Sequence, residues 1–244
     1  MFEVRSRPRP EKPSSMRGSE RGVMKLRKSL MSRVVDPDSA RSITSQLRVK
    51  RWGELNRRFP QLADMKVLDL GGTSESWLLS PVRPAEVVLL NIRPSRPDDG
   101  VREIIGDACD PPESLLGERF DLVYSNSVIE HVGGHAARSK FAGSVHDLAP
   151  NHWIQTPYRY FPIEPHWVFP IFQYLPMSAR LAVAKRWRLG HKAPRDRLSE
   201  TLEQVMNVEL LDRTSFAHYF PRSTVFFEKV VGFPKSLIAV SSAG

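Results

Sequence analysis

Val67-Leu68-Asp69-Leu70-Gly71-Gly72-Thr73 is the stretch on which the fold turns: a short apolar run that ends in an acid and two glycines. Strands of a parallel sheet, buried on both faces, read as continuous apolar runs. In open α/β sheets the ligand binds just beyond the carboxyl ends of such strands. Glycine lacks the Cβ that would forbid a sharp turn or hold a ligand away from the backbone. The stretch therefore predicts a strand at 66–70 followed by a cradle for a small ligand.

Further short apolar runs follow at regular intervals. Val87–Leu90 ends at Asn91, Ile104-Ile105 leads into Gly106-Asp107-Ala108, Phe120–Tyr124 is a fourth strand and Trp153–Gln155 a fifth. A helical segment at about 135–148 separates the last two, and an earlier one at 38–59 carries Ile43, Leu47, Trp52 and Leu55 at near-helical spacing before Pro60. Alternation of this kind argues for a parallel sheet with right-handed crossovers. Toward the C-terminus, helices are expected at 178–188 and 200–211. Val225–Val231 and Ser236–Val240 flank Gly232–Lys235 and read as a hairpin. The expected fold is α/β: a Rossmann-like, doubly wound, seven-stranded and mostly parallel sheet with a C-terminal antiparallel hairpin.

The chain has 244 residues, enough for one domain of ordinary size. Its net charge of +9 is unevenly spread: residues 1–60 carry an excess of +10 and the remainder −1. Residues 1–37 read as a basic, Pro- and Ser-containing arm, partly disordered, and 38–244 as the folded domain. A basic arm can bind nucleic acid, but this one lacks interleaved aromatics, so a nucleic-acid partner is not the favoured reading. The single cysteine, Cys109, excludes a disulfide framework and fits a reducing compartment. No apolar run approaches the roughly 18 residues of a membrane span, and no apolar segment follows the basic N-terminus to make a signal peptide. A cytoplasmic location is expected. The sequence assigns no oligomeric state.

On these residues the chain resembles the class I S-adenosylmethionine (SAM) dependent methyltransferases over about 60–244. The resemblance implies that Asp69, Gly71 and Gly72 cradle the methionine part of SAM. It places Asn91 where the family has an acid for the ribose hydroxyls; an amide can donate and accept there but without charge. Asp107 and Ala108 take the positions that meet the adenine ring. Phe120–Val132, with Ser125 and Asn126, is similar to the fourth strand and the loop facing the transferred methyl group. The glycine turn alone also suits a dinucleotide; its companions favour SAM.

Glu130-His131 is similar to the end of a Glu-x-x-Glu-His sequence with which some O-methyltransferases of quinone biosynthesis hold a divalent metal. Ser127 stands in place of the first acid. Mg²⁺ held by Glu130 and His131 is one reading, a metal-free pocket the other. After strand five, Tyr158, Tyr160 and Trp167 can stack on an acceptor, while Glu164 and His166 bring acid–base groups. This stretch resembles actinobacterial sugar O-methyltransferases of methylated polysaccharide biosynthesis. The implied reaction is O-methylation of a small-molecule or saccharide acceptor, with His131 or His166 as base and Glu164 beside it. Two alternatives stay open: an RNA or protein methyltransferase using the basic arm, and a SAM-binding module without catalysis.

Overall fold

A computed structural model describes residues 43–95, 101–186 and 195–242. Its contacts divide the chain into two units, 1–48 and 49–244. Of the first unit only 43–48, the opening turns of helix α1 (Ile43–Arg58), are described, so the expected basic arm at 1–37 lies outside the described residues.

The second unit is built on a seven-stranded sheet of order β3-β2-β1-β4-β5-β9-β8. Strands β1 (Lys66–Leu70), β2 (Glu86–Asn91), β3 (Arg102–Ile105), β4 (Leu122–Asn126) and β5 (Asn151–Pro157) run parallel. Strand β9 (Phe233–Ser241) pairs antiparallel with both β5 and β8 (Thr224–Val230). This is the expected Rossmann-like fold. Chain order reverses between β1 and β4, which makes their carboxyl ends a topological switch point, the usual place for a ligand.

Successive residues of a strand point to opposite faces, and both faces are covered. Leu68, Leu70, Val88, Leu90, Val123 and Ile154 pack beneath α4 (His135–Leu148) and α7 (Arg213–Tyr219), against Phe141, Val145, Phe216 and Phe220. Val67, Leu89, Leu122, Tyr124, Trp153 and Ile238 face the other way, toward Trp52 and Leu55 of α1, Phe59 just after it, and Trp77 of α2 (Ser74–Leu78). A third cluster, Trp167, Phe172, Ala184 and Val205, joins the loop after β5 to α5 (Met177–Arg186) and α6 (Leu198–Met206). That loop forms the short hairpin of β6 (Ile163–Glu164) and β7 (Phe169–Pro170).

Two sequence expectations shift. The helix expected at 200–211 ends at Met206, because the chain after Asn207 is drawn into extended contacts: the Glu209 N–H donates to the Glu130 carbonyl and Leu211 bridges Tyr158. The C-terminal turn is Val231-Gly232, both at positive φ (48° and 83°), rather than Gly232–Lys235. Two such residues match the right-handed twist of the flanking strands. Phe233 and Pro234 therefore lie within β9, with Pro234 beyond the end of its pairing with β5.

Trp153 is fully buried at the centre of the sheet. Trp153→Ala is expected to cost roughly 3–5 kcal/mol, the usual range for emptying a buried aromatic site, read as a lower urea midpoint with little change in slope.

Candidate functional site

The turn after β1 is as tight as its glycines suggest. Gly71 has φ of 76° and its N–H donates to the Leu90 carbonyl, at 2.9 Å. A Cβ there would come 2.5 Å from Val128 Cγ2, and one at Gly72 would fall within 1.7 Å of Asp69 Oδ2. No larger residue fits either position without moving its surroundings. Val128 lies two residues before Glu130, so the glycine turn and the loop after β4 pack directly together.

Asp69 is buried beside Tyr124, its register partner on β4. Trp52, Trp77 and Tyr124 form an aromatic cluster on this face, with ring centroids 5.0–5.7 Å apart. The Trp77 indole N–H donates to Oδ2 at 2.8 Å, whereas Oδ1 accepts no hydrogen bond among the described residues. Burial pushes the Asp69 carboxyl up to about 7, against the smaller opposing pull of the Trp77 hydrogen bond.

At the end of β2 the Asn91 amide donates to the Gly72 carbonyl (3.1 Å) and to Glu103 Oε1 (2.8 Å). Glu103, on the neighbouring strand, also accepts from the Ser95 hydroxyl and N–H. The Ser95 hydroxyl first, then Asn91, hold its carboxyl below the usual range. An ionised carboxylate thus stands beside the position where the family resemblance has an acid, supplied by β3 rather than β2. Asp107 is exposed and accepts from the Cys109 N–H, and Ala108 is buried behind it. Ser125 departs from its expected cofactor contact: it is fully buried and donates to the Leu70 carbonyl, tying β4 to β1. The Asn126 side-chain oxygen Oδ1 accepts from Arg51, whose guanidinium forms a two-pronged ion pair with Glu228 (3.0 and 2.8 Å).

The loops after β4 and β5 bring Glu130, His131, Glu164 and His166 together. Glu130 is buried; Oε2 accepts from the Thr156 hydroxyl at 3.0 Å, and Oε1 accepts no hydrogen bond among the described residues. Burial pushes this carboxyl up to about 7. His166 Nδ1 faces Glu164 Oε1 at 2.7 Å, while Glu164 Oε2 accepts the Trp167 N–H at 2.6 Å. His131 Nδ1 faces the Asn207 carbonyl at 2.9 Å. The two Nε2 atoms lie 3.1 Å apart, and Glu130 Oε1 is 4.0 Å from one and 3.9 Å from the other. Val168, immediately after Trp167, has φ of 49°, a strained value for a β-branched residue that the hairpin holds in place.

The Mg²⁺ reading does not fit. Ser127 adopts φ of 61° and directs its hydroxyl to the Gln155 side chain, at 3.0 Å, so the hydroxyl at the place of the first acid is already engaged. The atoms facing Glu130 are imidazole nitrogens, whereas Mg²⁺ takes oxygen ligands. The aromatic wall also changes. Trp167 is buried against Phe172 (centroids 4.7 Å apart) and Tyr158 packs on Phe227, leaving Tyr160 exposed. Beside Glu164 opens a cavity of about 270 Å³, lined by Trp167, Phe172, Met206, Arg159, Arg180 and Glu209 among others. Asn207, Thr156, Trp77 and Glu103 carried no sequence signal, because each acts through a partner distant in the chain.

No protein-family model matches the chain, and no curated protein matches it. Among solved structures it is similar to a SAM-dependent methyltransferase from Mesorhizobium loti, at 17% identity and a TM-score of 0.47, covering 78% of this chain and 96% of that one. It is also similar to the N-terminal domain of EvdMO1 with S-adenosylhomocysteine (SAH) bound, at 16% identity and a TM-score of 0.47, covering 93% and 100%. The N-methyltransferase NodS of Bradyrhizobium japonicum WM9, in complex with SAH, matches at 13% identity and a TM-score of 0.47, covering 87% and 95%.

Among the described residues, burial and the Trp77 hydrogen bond set the Asp69 carboxyl's proton affinity, so its titration is separable. Folded, it keeps its proton to about pH 7; unfolded, it releases it near pH 4. The folded state therefore binds the extra proton across this window, and stability from Asp69 falls as pH rises. Urea unfolding from pH 4 to 8 should show Asp69→Asn gaining on the parent protein toward high pH. Parallel curves would mean that Asp69 is ionised throughout.

Proposed function

We propose that the protein is a SAM-dependent O-methyltransferase acting on a hydroxyl of a small acceptor, with a saccharide-like molecule as the favoured class. The observation that carries this reading is one junction at the switch point. A Cβ-free turn packs through Val128 onto a loop where three hydrogen-bond-accepting atoms, Glu130 Oε1, His131 Nε2 and His166 Nε2, converge.

The residues present fit SAM. Gly71 and Gly72 let the turn run tightly between Val128 and Asp69, which brings the backbone close to the strand end where a ligand sits, and Asp69 Oδ1 is a buried acceptor suited to the ammonium of the methionine part. Asn91, with Glu103 beside it, offers an amide and a carboxylate for the ribose hydroxyls; Asp107 and Ala108 lie where the adenine would rest. When bound, SAM supplies a methyl group on a sulfonium, which can leave by in-line displacement with little covalent help. The protein's task is alignment and removal of the acceptor proton. Both histidines turn Nδ1 to an acceptor, so in their neutral forms Nε2 carries the lone pair. An acceptor hydroxyl donating into the group loses its proton there as its oxygen takes the methyl. Glu164 orients His166 by holding its Nδ1. Arg159, Arg180 and Glu209 around the neighbouring cavity offer charged hydrogen bonds to a polyhydroxylated acceptor, while Phe172 and Met206 give it an apolar wall.

Calorimetry should show SAM and SAH binding that is lost in Gly71→Val with the far-UV spectrum unchanged. Affinity should weaken below about pH 7 as Asp69 takes up its proton, and Asp69→Asn should cost on the order of tenfold or more, the worth of a charged hydrogen bond. With labelled SAM and a panel of saccharides, His166→Ala should lower turnover on the order of a hundredfold while SAH affinity stays the same. Equal loss of both would remove His166 from the chemistry. SAM binding without transfer to any acceptor would favour a non-catalytic module.

A further inference from the structure

Glu130, His131 and His166 are, among the described residues, the one group of three metal-ligating side chains whose donor atoms lie within 4.8 Å of one another. Their hydrogen bonds determine what can sit between them. His131 Nδ1 faces a backbone carbonyl and His166 Nδ1 a carboxylate, so both nitrogens carry the proton. The neutral rings then leave a lone pair on each Nε2, the two atoms 3.1 Å apart, with the buried Glu130 Oε1 beside them. Three electron-rich atoms grouped this closely call for a cation.

The triangle has the right size for an ion. With sides of 3.1, 3.9 and 4.0 Å, the point equidistant from its corners lies about 2.2 Å from each donor, close to the zinc–nitrogen and zinc–oxygen range of about 2.0–2.2 Å. The outer contacts agree, since metal-bound histidines characteristically donate their other N–H to a carboxylate or a backbone carbonyl. Here Glu164 serves His166 and Asn207 serves His131. Glu164 is fixed in turn by the Trp167 N–H.

We propose that Glu130, His131 and His166 form a binding site for a divalent transition-metal ion of the Zn²⁺ class, with Glu164 as the positioning residue for His166. Two imidazoles and one carboxylate select such an ion over Mg²⁺. Three protein donors leave coordination open for an acceptor oxygen, which the ion would polarise. This catalytic use rests on the methyltransferase reading; the binding of the ion does not.

The test uses tag-free, chelator-stripped full-length protein, titrated with Co²⁺ by visible absorption and with Zn²⁺ by competition against a chromophoric chelator. One equivalent of Co²⁺ should give d–d bands that Zn²⁺ abolishes and millimolar Mg²⁺ leaves intact. His131→Ala and His166→Ala should each remove the bands with the melting temperature nearly unchanged. Glu130→Gln, which keeps the buried shape, should weaken binding strongly. Glu164→Gln should weaken it by about 10- to 100-fold, as expected for a group that orients a ligand. Absence of Co²⁺ bands would overturn the proposal, with a proton shared by the two imidazoles in place of the ion. So would Co²⁺ affinity unaffected by His166→Ala, or Mg²⁺ competing on equal terms. SAH binding measured on the same samples separates the two readings: its loss with Co²⁺ binding intact would sink the methyltransferase assignment and leave the metal site standing.

Discussion

A parallel sheet covered on both faces can meet a ligand at the ends of its strands, and this constraint organises the molecule. α1 and α2 close one face while α4 and α7 close the other, so the loops leaving β1, β2, β4 and β5 carry the polar chemistry. The switch between β1 and β4 parts the loops at one place and opens a crevice there. The glycine turn, the Glu130-His131 loop and the hairpin bearing Glu164 and His166 all leave the sheet at this edge.

Within that frame two buried carboxyls have different surroundings. Asp69 sits against Trp77 and Tyr124 with one indole N–H as partner, and desolvation dominates its behaviour. Glu130 is equally buried but faces two imidazoles, with Thr156 on its other oxygen. Burying a carboxylate without a cation is costly. On the proposed reading, the cations that would offset the cost are the ammonium of SAM at Asp69, and a proton or metal ion at Glu130. That separates both from Glu103, whose oxygens are satisfied by Ser95 and Asn91.

Much of the fold is legible in the chain because the signals are local. The apolar runs at 67–70, 87–90 and 120–124 name the central strands, and Val225–Val231 with Ser236–Val240 announces the hairpin. Its turn is less legible, because Pro234 reads as a turn residue while the two positive φ values fall at Val231-Gly232. Helix α7 carries no clear signal: it is seven residues long, with Phe216 inside it and Phe220 just past its end, too short for a period to show. At the site, Asp69, Gly71, Gly72, Glu130, His131, Glu164 and His166 could be picked out by residue type beside strand ends. Ser125 falls in the segment that the resemblance assigns to cofactor contact, but it is buried with its hydroxyl on the Leu70 carbonyl.

The sequence by itself determined the strand-turn pattern, the absence of large side chains at Gly71 and Gly72, and the supply of carboxylates and imidazoles at the carboxyl edge. These follow from composition and short-range spacing. Tertiary structure alone decided how they combine. His166 meets His131 across 35 positions, Asn207 reaches His131 across 76, and Thr156 reaches Glu130 across 26. Tautomer, burial and basicity all depend on these partners, and no local pattern encodes a contact that exists only once the crossovers have closed.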